Sequence, residues 1–218
     1  MRKLKVKAIF FDLDGTIVDS KEAYLIALKT AWAKTGKQKS IDVELVTEIP
    51  KRLEQSLPIN DLLKDIDAKK FLQEYLKAYY QATAMIAKPM PDISDILRML
   101  SNKAKLALIT MRYVTKEKVI EELMKFDLAK YFQQIITALG TDDPKPSPEA
   151  LIKCAKLLEV RMDECVVVGD SVADIRAGKN GGARTVGVLS GIFSRQELER
   201  ENPDLIIESV KELPDYLE

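Results

Sequence analysis

The sequence predicts an α/β fold: a doubly wound parallel sheet with an all-helical segment inserted after its first strand. Three observations predict it. From residue 91 onward, apolar runs of strand length alternate with helix-length segments, the pattern of strands joined by crossover helices. One further apolar run, Val6–Phe11, stands far upstream of the others. Between them, residues 19–88 carry helical periodicity and no strand signal. The chain has 218 residues, 46% of them hydrophobic, which suits one large domain or a domain with an insertion.

The first strand is short, apolar and rich in aromatic and β-branched residues, as a buried strand is. It breaks at Asp12-Leu13-Asp14-Gly15-Thr16. Two carboxylates one residue apart at the end of a buried strand are costly, because like charges repel and desolvation penalises each. A bound cation relieves both penalties, and hard carboxylate oxygens suit Mg²⁺. Gly15 permits a turn that a residue with a Cβ resists.

The helical block begins at Glu22–Lys34, with Ala23, Ile26, Ala27, Thr30 and Ala31 at helical spacing and Gly36 as a stop. Ile41–Leu57 and Ile59–Ile66 read as short helices broken at Pro50 and Pro58. Ala68–Ala87 is a longer helix with Leu72, Tyr75, Leu76 and Tyr79 on one face, and Lys88–Pro91 reads as a linker.

Then the alternation sets in. Ile93–Leu100 is helical, Lys105–Ile109 a strand ending in Thr110, and Lys116–Lys125 a helix. Gln134–Leu139 is a strand, and Pro148–Leu158 a helix capped by Ser147. Glu164–Val168 is a strand ending in Gly169-Asp170, and Val172–Lys179 a helix stopped by Gly181-Gly182. Thr185–Leu189, Arg195–Glu201 and Leu205–Ile207 follow as strand, helix and edge strand, with a last helix before Leu217. In such sheets ligands bind outside the carboxyl ends of the strands. Four of those ends carry polar residues: Asp12 and Asp14, Thr110, Lys145 beyond the third strand, and Asp170.

Composition narrows the chemistry. Lys+Arg and Asp+Glu number 34 each, which argues against a general nucleic-acid or membrane-surface binder. There is no histidine, so acid–base work falls to Asp, Glu, Lys or Tyr. Cys154 and Cys165 form no metal-type pattern and read as small buried side chains. No stretch is long enough to span a membrane, and the basic residues ahead of Val6 are not followed by a signal-peptide core. The expected location is cytoplasmic.

The residues at the four strand ends resemble the motifs of the haloacid dehalogenase (HAD) superfamily. Phe11–Ser20 is similar to its first motif, DxDGT; Leu106–Thr110, LALIT, to the second; Pro144–Glu149, PKPSPE, to the third; and Val166–Gly178, VVVGDSVADIRAG, to the fourth. The resemblance implies a Rossmann-like core over residues 1–18 and 89–218, with residues 19–88 as a C1-type helical cap. It implies an enzyme like phosphoglycolate phosphatases and β-phosphoglucomutase-like phosphatases. It implies that Asp12 is a nucleophile, that Asp14 is the general acid/base and that Lys145 stabilises charge. Thr110 and the backbone N–H of Met111 would bind phosphate. Mg²⁺ would be held by Asp12, the backbone carbonyl of Asp14 and Asp170, with Asp174 either an indirect ligand or a holder of Lys145.

The presence of Asp14 points to phosphoryl transfer, since dehalogenases of the superfamily lack that residue. One departure is Met111-Arg112, where many relatives of this cap type have Asn after the Thr. Arg112 either reaches an anionic leaving group or pairs on the surface. Lys51 and Arg52 either bind an anionic group of the substrate or form a solvated helix end. The expected partner is a small phosphate ester, with no nucleic acid and no membrane, for a monomer or homodimer. A phosphomutase is the alternative, and a non-catalytic binding or regulatory protein a remoter one.

Overall fold

The computed structural model describes residues 3–36, 43–63 and 66–218. The chain divides into two compact units, one formed by Met1–Val18 with Pro89–Glu218 and the other by Asp19–Lys88.

The first unit is a six-stranded parallel sheet. Its strands are β1 (Ala8–Phe11), β2 (Lys105–Ile109), β3 (Gln134–Ile136), β4 (Cys165–Gly169), β5 (Arg184–Val188) and β6 (Leu205–Ile207), in the spatial order β3-β2-β1-β4-β5-β6. The first strand in sequence therefore lies inside the sheet. Ala8 pairs with Lys105 on one side and Cys165 on the other, and Phe11 with Leu108 and Val168.

Alternation along β1 splits its side chains between two cores. Ile9 and Phe11 join Leu106, Leu108, Val166 and Val168 on one face, against Leu97, Leu100, Val119 and Leu123. Those four belong to the helices α4 (Ile93–Ser101) and α5 (Lys116–Lys125). Ala8 and Phe10 join Ala107, Ile109 and Val167 on the other face, against Leu151, Ala155 and Ala177. Those residues lie on α6 (Glu149–Leu157) and α7 (Val172–Gly181). The chain also has a short α8 (Arg195–Glu199), and Gly182, at φ +77°, ends α7 in the left-handed conformation.

The second unit is helical: α1 (Lys21–Lys34), α2 (Val43–Glu54) and α3 (Ala68–Ile86). Ala23, Ala27 and Ala31 recur every four residues along α1 and are fully buried, so α1 and α3 approach closely. Tyr24 stacks on Tyr79 at 5.1 Å, and Trp32 meets Phe71 at 4.9 Å. The Asp67 carboxylate accepts the Lys69 and Lys70 amides and so caps α3.

Several local expectations need correction. Pro50 does not break its helix; it lies inside α2, buried beside Ile49. Burial of that face outweighs the hydrogen bond that a proline nitrogen cannot give. The expected helix Ile59–Ile66 is a 3-10 turn at Asn60–Leu62; Lys64 and Asp65 lie outside the described residues, as does the expected start of α2 at Ile41. The buried face of α3 is Phe71, Tyr75, Ala78, Tyr79 and Ala82, while Leu72 and Leu76 are half-buried. The third strand stops at Ile136 and gives way to a 3-10 turn, and the segment before Leu217 is 3-10.

Candidate active site

The site is built at the carboxyl ends of β1, β2 and β4 and on the loops that follow. β1 delivers Asp12, whose amide donates to the Val168 carbonyl of β4 at 2.9 Å. Gly15 sits at φ +80°, and a Cβ there would lie 2.6 Å from an Asp170 carboxylate oxygen. The turn thus needs glycine for its backbone conformation and for the approach of Asp170. Thr16 Oγ1 donates to Asp170 Oδ1 at 3.0 Å, tying the first loop to the fourth strand.

Lys145 is the hub. Its Nζ donates to Asp12 Oδ1 at 2.6 Å, to Asp174 Oδ1 at 2.5 Å and to the Ile109 carbonyl at 3.0 Å. It is only 3% exposed. Burial alone would favour the neutral amine, but Asp12 and Asp174 outweigh it and raise the Lys145 pKa above the usual lysine value. For Asp12 burial is the largest influence: it pushes the carboxyl up to about 7 against the pull of Lys145, with Asp174 and Asp14 adding to the rise.

The other oxygen of Asp174 is held locally. Asp174 Oδ2 accepts the Ser171 hydroxyl at 2.7 Å and the Ser171 amide at 3.2 Å, and Ser171 Oγ accepts the Asp174 amide. This reciprocal cap opens α7 and orients Asp174 toward Lys145. Asp12, Asp170 and Asp174 each offer a carboxylate oxygen within 4.8 Å of the others. Three nearly buried carboxylates drawn together in this way fit a hard divalent cation.

Thr110 follows β2, is 3% exposed, and accepts the Arg112 amide through Oγ1 at 3.2 Å. Met111 is half-buried. Arg112 does not pair on the surface: it is 5% exposed. Its Nε and Nη2 donate to Asp14 Oδ2 and Oδ1 at 2.7 and 2.6 Å, and its Nη1 donates to Glu122 Oε2 at 2.6 Å. Arg52 belongs to the helical unit, where it donates to Glu48, Asp61 and the Pro58 carbonyl at 2.8, 2.6 and 3.0 Å. Lys51 precedes it in the last turn of α2. Cys154 and Cys165 are buried, and burial pushes both thiols up to about 12, which leaves them unreactive.

Sequence reasoning missed three contributors. Glu122 stands ten residues beyond Arg112 on α5, with nothing in the sequence to link them. Ser171-x-x-Asp174 is a capping-box pattern, so its signal was available. The loop after β5 also reaches the site: Ser190 Oγ donates to the Gly15 carbonyl at 2.7 Å, and a Cβ on Gly191 would lie 1.6 Å from Asp170 Oδ2. It follows one more strand of the same sheet, whose carboxyl end faces the same side as the others.

The sequence model of the family described as haloacid dehalogenase-like hydrolase matches residues 9–188. The chain belongs to this family. The HAD match spans all four motifs. A phosphoglycolate phosphatase of Vibrio parahaemolyticus is 30% identical over 98% of this chain and 96% of its own. A phosphoglycolate phosphatase of Aquifex aeolicus is 28% identical over 95% of each chain. A pyrophosphatase PpaX of Halalkalibacterium halodurans is 25% identical over 98% of each. In fold, a haloacid dehalogenase-like family hydrolase from Streptococcus pneumoniae superposes with a TM-score of 0.83 over 97% of this chain and 98% of that one, at 22% identity. No helix among the described residues is long and apolar enough to cross a membrane.

Proposed function

We propose that this HAD hydrolase is a Mg²⁺-dependent phosphatase of a small phosphorylated metabolite, of the phosphoglycolate or sugar phosphate kind, acting through a phosphorylated Asp12. The observation that carries the reading is Lys145 bridging Asp12 and Asp174 beside Asp170. The full-length relatives named as phosphatases support the same class.

Asp12 and Asp170, with Asp174 nearby, would hold the cation, which would neutralise phosphate charge and orient the phosphoryl group. The Asp12 carboxylate attacks phosphorus while the bond to the departing oxygen breaks. Asp14, protonated for this step, gives that oxygen its proton and becomes the carboxylate. Water then attacks the aspartyl phosphate, and Asp14 takes the proton from it. Lys145 and Thr110, with the backbone amide of Met111, face the charge that develops on the phosphoryl oxygens. Residues 19–88 are assigned the role of a substrate-selecting helical unit, with Arg52 as its candidate anion contact.

The test is phosphate release from a panel of small esters, with and without Mg²⁺, beside Asp12→Asn. Metal-dependent release that disappears in the variant, with the fold kept, is expected. Release that needs a sugar bisphosphate primer would instead favour a mutase. Substantial turnover by Asp12→Asn would remove the nucleophile assignment.

A further inference from the structure

The Asp14–Arg112–Glu122 chain is unlike the rest of the site. Lys145 meets Asp12 with a single ammonium, whereas Arg112 meets Asp14 with the two parallel donors of its guanidinium fork. Such a bidentate pair fixes the plane of a carboxylate as well as its position. The fork is itself fixed from behind. Glu122 Oε2 takes the Nη1 donor at 2.6 Å, and Glu122 Oε1 lies 3.4 Å from Nη2. Arg112 and Glu122 are both nearly buried, so the arrangement is held by packing on α5 and by the loop after β2.

We infer that Arg112, oriented by Glu122, is a positioning residue that sets Asp14 for the second half of the reaction, the attack of water on phosphorylated Asp12. The inference rests on the nucleophile assignment made above. A fork that takes both oxygens of Asp14 fixes the plane in which that carboxylate can meet a water approaching phosphorylated Asp12. In that step the water oxygen bonds to phosphorus and the Asp12 Oδ–P bond breaks, its electrons returning to the Asp12 carboxylate. The water proton passes to Asp14. With a leaving group that departs unprotonated the first half makes no demand on Asp14, so loss of its positioning by Arg112 then weighs on the second half. A residue that merely holds the fold would slow both alike.

The two halves separate with p-nitrophenyl phosphate, whose leaving group departs without a proton. The variants are Arg112→Lys, which keeps the charge and loses the fork, and Arg112→Met/Glu122→Gln, which also removes the facing charge. In both, release of the first equivalent of p-nitrophenolate in the presence of Mg²⁺ is expected to stay within about threefold of the parent. Steady-state turnover falls roughly 100-fold, the scale of a displaced general base. Acid quenching then traps phosphorylated enzyme that the parent does not accumulate.

A fall of first and later turnovers by one common factor, with no trapped phosphoenzyme, would overturn the inference. So would variants with unchanged rates in both phases. Failure of the underlying reading looks different: Asp12→Asn, with Arg112 intact, would then turn over like the parent.

Discussion

Lys145 and Asp12 stand 133 positions apart in sequence, and their Nζ and Oδ1 atoms lie 2.6 Å apart in the fold. The ammonium is shared with Asp174, so one buried cation answers two buried anions. Such a pair is costly to break from one side only, because the partner left behind stays desolvated and charged.

Lys145→Met is therefore expected to lose stability and activity together. Unfolding in urea should show a loss of about 3–5 kcal/mol, and turnover should fall roughly 100- to 1,000-fold. Adding Asp12→Asn to Lys145→Met should restore part of the stability and none of the activity. A single variant as stable as the parent would contradict the buried pairing.

Gly191→Ala probes Asp170 from behind. A methyl group there would overlap Asp170 Oδ2, so the carboxylate or the loop must shift. Titration calorimetry should show Mg²⁺ affinity falling about 10- to 100-fold, as when the support of a ligand is disturbed. Far-ultraviolet circular dichroism should stay that of the parent. Unchanged Mg²⁺ binding would mean that Asp170 holds no metal or that the loop yields freely.

Asp204 predicts a pH dependence away from the site. Burial pushes its carboxyl up, but Arg184 at 2.7 Å and the Thr185 amide at 2.9 Å outweigh that and hold it below the usual carboxylate value. A carboxyl depressed by folding contributes stability above its unfolded pKa, about 3.9, and that contribution is lost as pH falls through the folded value. Asp204→Asn should cost about 1 kcal/mol at neutral pH. The difference from the parent should shrink below about pH 4. Parallel stability curves down to acid pH would refute the pairing.

Tyr75→Phe should leave the helical unit as stable or make it more so. The hydroxyl is buried and, among the described residues, has no hydrogen-bond partner. Removing an unsatisfied buried hydroxyl is expected to give a gain of up to about 1 kcal/mol, read from urea unfolding. A marked loss would reveal a partner, such as a bound water.

The sheet was legible because buried parallel strands are apolar runs bounded by sharp polar breaks. Val6–Phe11 into Asp12 and Glu164–Val168 into Asp170 are such breaks, and both fall where expected within a residue or two. The strand-end rule then gathered Asp12, Thr110, Lys145 and Asp170 from distant parts of the chain. Pro50 was misread because local propensity cannot weigh the burial of Ile49 beside it. Of the two readings of Arg112, the surface pair fails for a related reason: a charged residue next to the exposed Tyr113 shows no sign in sequence that Asp14 and Glu122 close on it from the loop after β1 and from α5. Ties between side chains far apart in sequence have no local signature. On α3, Tyr75 and Tyr79 are buried as expected, while Leu72 and Leu76 yield to Phe71 and Ala78, since neighbouring positions satisfy a helical stripe almost equally well.

The inner position of β1 has a consequence for biosynthesis. The strand that leads into Asp12 and Asp14 is made before both of its neighbours in the sheet, which follow about a hundred residues or more later. Thr16 meets Asp170 across 154 positions, and Ser190 meets Gly15 across 175. At ribosomal speeds the acidic end of the nascent strand waits on the order of ten seconds for Lys145. During that interval it has no ammonium partner, no Asp170 and no sheet around it. An incomplete chain therefore lacks the assembled site, which is complete only when synthesis has passed the loop after β5.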